Sequence, residues 1–123
     1  MTEKKPAGPW TAPENLAVCR LYFAMLDRAT AGAKYNKAAM IREATRDNGA
    51  GDTGPLVARS RGSVELKLMN ASAAHAIIRP QAVTMDGFGY RAMANMQRGL
   101  LDAMRAEIER REKIAADWTE ASA

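Results

Sequence analysis

Little in this chain is equipped to do chemistry on its own. Among 123 residues there is one cysteine, Cys19, and one histidine, His75. A single cysteine excludes an intramolecular disulfide. A structural zinc site needs about four Cys/His ligands, and a histidine-type metal nuclease needs several His, Asn and Asp ligands around its metal. Aromatic residues make up only 6% of the chain, and no stretch shows convincing strand alternation. The start, Met1-Thr2-Glu3-Lys4-Lys5-Pro6, has no apolar run behind it, so no secretory signal is expected. The longest uncharged stretch near the middle, Leu68 to Ile78, is about half of what a membrane span requires. A reducing, cytoplasmic setting without membrane contact is the expectation. The glycine-rich stretch Gly49 to Pro55 is not followed by the Gly-Lys-Ser/Thr that a phosphate loop carries. No metal, no cofactor and no enzymatic activity are expected. Cys19 reads as a small core filler and His75 as a core histidine, each ahead of a role in a site.

What the chain does have is alanine, methionine and helix punctuation, which favour an all-α fold. Trp10 precedes Thr11-Ala12-Pro13-Glu14, the pattern of a capping box with Thr11 as N-cap. A first helix carrying Leu16, Cys19, Phe23 and Leu26 should run to Arg28 or Thr30 and stop near Gly32. Asn36 should cap a second helix over 37–46, followed by a glycine-rich loop without periodicity. A third helix should start at Ser60 with an apolar stripe of Val64, Leu68, Ala71 and His75, and close at Pro80. A second apolar edge runs through Leu66, Met69 and Ala73, leaving Ser63, Lys67 and Asn70 between the edges as a wet stripe. A long fourth helix is expected from about Tyr90, with Met93, Leu100, Met104 and Ile108 as its seam and a solvated, charge-alternating part from Glu107 to Lys113. Residues 1–10 are expected to form a flexible tail, 11–112 one helical domain, and 113–123 a fraying end. The expected fold is therefore all-α with about four helices: a helix-turn-helix-like three-helix core plus a long C-terminal helix.

Charge is localised. The net is +4, yet from Arg28 to Arg79 nine Lys/Arg face four Asp/Glu. A basic middle between neutral flanks points to an anionic partner, against the alternative of a solvated face with chance imbalance.

Several strings together carry a resemblance. These are Trp10-Thr11-Ala12-Pro13-Glu14, Leu21-Tyr22-Phe23-Ala24-Met25-Leu26, Tyr35-Asn36-Lys37-Ala38, Arg59-Ser60-Arg61-Gly62-Ser63-Val64-Glu65-Leu66-Lys67 and Asn70-Ala71-Ser72-Ala73. Over residues 10–79 the chain resembles the amino-terminal domain found ahead of the nuclease in bacterial and phage HNH-endonuclease-type proteins. It is similar, more distantly, to Myb/SANT-like helix-turn-helix domains. The loop 47–58 is longer than that pattern has, and the nuclease half is missing. The resemblance implies a DNA-targeting role, with a nuclease partner or a fused nuclease domain in a restriction-type or phage-encoded system.

Two functional expectations follow. In the first, the chain is a module for duplex DNA. Arg61 and Lys67 would contact phosphate or guanine, with Arg59 beside them; Asn70 would pair with adenine and Ser63 with backbone. Lys34, Lys37, Arg42 and Arg46 would bind flanking phosphates. In the second, the chain is an interaction module, an inhibitor or a homodimerisation domain, acting through the C-terminal helix.

Overall fold

In the computed structural model the described residues are 8–46, 51–85 and 97–121, without the side chains of 51–53. They form four α-helices and one 3₁₀ segment, with no strand among them. Helix α1 spans Ala12–Thr30, α2 Lys37–Ala44, α3 Arg61–Ile78 and α4 Arg98–Ala121.

The helix boundaries follow local chemistry. Thr11 Oγ1 accepts from Glu14 N at 3.3 Å while Glu14 Oε1 accepts from Thr11 N at 2.9 Å, a reciprocal capping box. At the other end of α1, Gly32 takes φ +73, Ala33 N donates to Arg28 O at 2.9 Å and Gly32 N to Ala29 O at 3.1 Å. That is a Schellman motif, and its left-handed position is why glycine stands there. Asn36 Oδ1 caps α2 by accepting from Ala39 N, and Ser60 Oγ caps α3 by accepting from Ser63 N. Helix α2 stops at Ala44, two residues before the expected end.

Helix α1 is the hub, touching α2, α3, α4 and the 3₁₀ segment. Its Val18, Cys19, Tyr22 and Met25 are fully buried, as are Val64, Leu68 and Ala71 of α3 and Leu100 and Met104 of α4. Ile41 and Ala44 attach α2 to the same core. The apolar stripe expected of α3 is thus the stripe that packs, and the Leu100, Met104 and Ile108 part of the expected α4 seam is buried too.

Four expectations change. The link between α2 and α3 is not a loop without structure: Gly51–Ala58 is a 3₁₀ helix whose Leu56 is completely buried. Residues 45–60 therefore separate α2 from α3, where a helix-turn-helix has a turn of about 3–4 residues. The tail is not loose at its inner end, because Gly8 and Pro9 offer their carbonyls to Arg59. Glu107, expected on a solvated face, is buried at 1% exposure with Arg20 and Arg110 on its carboxylate. It adjoins Ile108 on the inward face, so its charge is compensated rather than hydrated. The end expected to fray is helical through Ala121 and exposed along its whole described length. The expected start of α4 at Tyr90, with Met93 and Met96, lies outside the described residues, as does most of the expected N-terminal tail.

Candidate nucleic-acid interface

The middle residue of the stripe expected to read DNA faces inward. Lys67 is 5% exposed. Its ammonium donates to Gln97 Oε1, just before α4, and sits 5.0 Å from the Trp10 ring centroid. Burial, and then the charge of Arg59, lower its pKa. On a helix with 3.6 residues per turn, Lys67 lies about 60° from Val64, at the margin of the packed face. Helix α4 and the chain before α1 cover that margin. Of the second apolar edge only Leu66 faces outward, at 64% exposure; Ala73 is buried and Met69 packs against the core.

Arg59 is also removed from any external contact. It is buried with Glu14, Nε to Oε2 at 2.5 Å and Nη2 to Oε1 at 2.8 Å. Its remaining donors reach Gly8 O at 2.8 Å and Pro9 O at 2.9 Å, and the guanidinium lies 4.8 Å from the Trp10 centroid. The hydrogen bond from Arg59, working against burial, holds the Glu14 carboxyl at about 2. Trp10, Glu14, Arg59, Lys67 and Gln97 thus form one strap, buried at Glu14, Arg59 and Lys67 and open at Gln97, that ties the chain before α1 to the starts of α3 and α4. Arg59 and Lys67 are therefore corrected from DNA contacts to parts of this strap. A buried charge must find its partners inside, and here they stand thirty to fifty residues away. The local signal for Glu14 was its capping box; nothing local marked its second partner.

The other candidates divide. Ser63 is half-buried and its hydroxyl shares a 3.0 Å hydrogen bond with Ser60 Oγ; Asn70 is half-buried. Lys34, Arg42, Arg46 and Arg61 are exposed. Lys37 is half-exposed and meets Glu65 of α3 at 3.4 Å, which places the start of α2 beside the first turns of α3. Arg46 pairs with Glu43 at 2.6 Å on the surface. Arg28, in the last turn of α1, is exposed and belongs with this group, although the sequence reading passed over it. From Arg28 to Arg46 five cations face one carboxylate. The Gly32 turn folds this run into a corner between α1 and α2.

A second feature lies on the opposite flank of α1. An open groove of about 590 Å³ has Phe23, Leu26, His75 and Ile108 in its walls. Its rim carries Arg111–Asp27 at 2.6 Å and Arg79–Glu112 at 2.8 Å. His75 Nδ1 is 2.8 Å from the Tyr22 hydroxyl, so the histidine is a bonded core residue. Burial lowers its pKa and pushes that of Tyr22 up to about 12. Burial likewise holds Cys19 at about 12, as an inert thiol. Among the described residues no three His, Cys, Asp or Glu side chains gather as metal ligands, and no helix is long and apolar enough to cross a membrane.

No protein-family model, no curated protein and no solved structure matches this chain.

Proposed function

We propose that this protein is a duplex-DNA-binding module that grips phosphates through the basic corner between α1 and α2, and has no catalytic step of its own. The observation that carries the reading is the run of Arg28, Lys34, Lys37, Arg42 and Arg46, of which all but the half-exposed Lys37 are exposed, with Glu43 as the one carboxylate inside the run and Glu65 of α3 paired with Lys37. Arg61 adds a sixth cation at the start of α3. Arg42 lies in the last turn of α2 and Arg46 two residues past its end. Cations on short, rigid supports neutralise phosphates and release counterions, a contact that does not depend on base sequence. With Lys67 turned inward, the reading has α3 supporting the corner instead of entering the major groove. Serving as the targeting part of a nuclease or restriction system would fit the same role.

Fluorescence anisotropy with a labelled duplex at low salt tests the proposal. Binding should weaken steeply with salt, and the double variant Arg42→Glu/Arg46→Glu should weaken it further. Each phosphate contact removed should flatten the plot of log K against log salt by about 0.9. Absence of duplex binding at low salt, or an unaltered slope in the double variant, would defeat it.

A further inference from the structure

A different face carries a second and independent reading. Helix α4 is about 36 Å long at 1.5 Å per residue. Its first half packs on α1 and α3, but every residue from Glu112 to Ala121 is exposed. That overhang is not uniformly polar: Ile114 is 53% exposed and Trp118 is 74% exposed. A shallow depression along Arg110, Arg111, Ile114, Ala115 and Trp118 joins the apolar groove beside Phe23 at the shared residue Arg111. The surface therefore offers both a projecting indole and, about two turns back, a place for one.

We propose that the occupant of this face is a second copy of the chain, its α4 antiparallel to the first. Residues 111, 114, 115 and 118 lie on one side of the helix, and their spacing is self-complementary under a two-fold axis. In that register Trp118 of each copy meets Arg111 of the other, and Ile114 meets Ala115, as an isologous contact requires. Arg111 already stacks on Phe23 at 4.3 Å, so the incoming indole caps a cation held between two rings and covers the open groove. The flanks agree in charge. Arg110 and Asp117 are seven residues apart on one flank, and antiparallel pairing brings Arg110 of each copy to Asp117 of the other. A tryptophan buries about 150–250 Å². Two of them with their isoleucines give an interface at the small end of specific ones, for which dissociation on the order of micromolar is expected.

Sedimentation velocity of the full chain across two decades of micromolar concentration provides the test. The unmodified protein should shift from monomer to dimer. Trp118→Ala should move the midpoint at least tenfold higher, Trp118→Phe should largely restore it, and Asp117→Lys should weaken it. Circular dichroism should show all variants folded, because these positions touch nothing in the monomer core. Tryptophan emission should shift to the blue on concentration and fail to do so in Trp118→Ala. A chain that stays monomeric throughout overturns the proposal, as does a dimer indifferent to Trp118. A monomer whose Trp118 emission shifts only on adding anionic vesicles also overturns it, in favour of a lipid contact.

Discussion

Lys67 shows how far a single side chain can be from its apparent role. From the sequence it sits between a serine and an asparagine on what looks like a wet stripe; in the fold its ammonium faces Gln97 and Trp10. A buried cation of this kind contributes little net stability, since desolvation offsets attraction. Replacing it with methionine, of similar length, should change the denaturation midpoint little and leave duplex affinity unaltered. Parallel urea melts and anisotropy titrations check this, and a loss of DNA binding in a folded Lys67→Met protein would return the contact to α3. The reason the sequence misled is geometric. Sixty degrees from the centre of an apolar stripe is inside or outside depending on what packs there, and the packing partners here, Trp10 and Gln97, come from distant parts of the chain. Arg59 was misplaced for the same reason, its four partner atoms lying at positions 8, 9 and 14.

At the scale of elements the sequence was far more legible, because helix ends are decided within four or five residues. Thr11, Asn36 and Ser60 all cap as their spacing predicts. The stop near Gly32 is present with its left-handed backbone. The 3₁₀ segment was not legible: a glycine-rich string with one proline carries no periodicity, and only the burial of Leu56 explains why it is ordered. The Gly32 turn also joins the two helices that carry the basic corner, so a change there tests stability and the proposed phosphate grip together. An added Cβ at Gly32 meets no neighbour within 4 Å, so Gly32→Ala suffers from backbone conformation alone. It should cost about 1–2 kcal/mol. Thermal melts would show this, and a neutral outcome would mean that the turn relaxes to negative φ without disturbing α2.

For the molecule as a whole, the interior electrostatics make a sharper statement than the net charge of +4. Glu14 is held at about 2, against an ordinary 4.5, mainly by its hydrogen bond from Arg59. A depressed carboxyl pKa contributes stability that is complete above 4.5 and is lost as pH falls toward 2. His75 acts in the same direction. Burial lowers its pKa below 6.5, so the neutral form belongs to the folded state and acid favours unfolding as pH drops through the unfolded value of 6.5. Stability should therefore decline in two stages below about 6.5, and fall again above about 9, where Cys19 and Tyr22 ionise more readily in the unfolded chain than in the fold. Glu14→Gln should lose about 3–5 kcal/mol at neutral pH, by leaving Arg59 buried without its anion. It should also shrink the lower stage without erasing it, since Glu107, against burial, is held low by hydrogen bonds from Arg110 and Arg20; urea midpoints at pH steps that leave the lower stage at its full size would mean that the strap does not contribute to it.

The overhang of α4 has one more consequence. Backbone amides past Arg111 belong to a helix with no tertiary cover, and such segments open at almost no free-energy cost. In dilute solution they should take up deuterium long before those near Met104, whereas pairing of two overhangs would slow them. The ratio of the two uptake rates within a single helix then becomes an internal gauge of protein concentration, and needs neither a label nor a mutation.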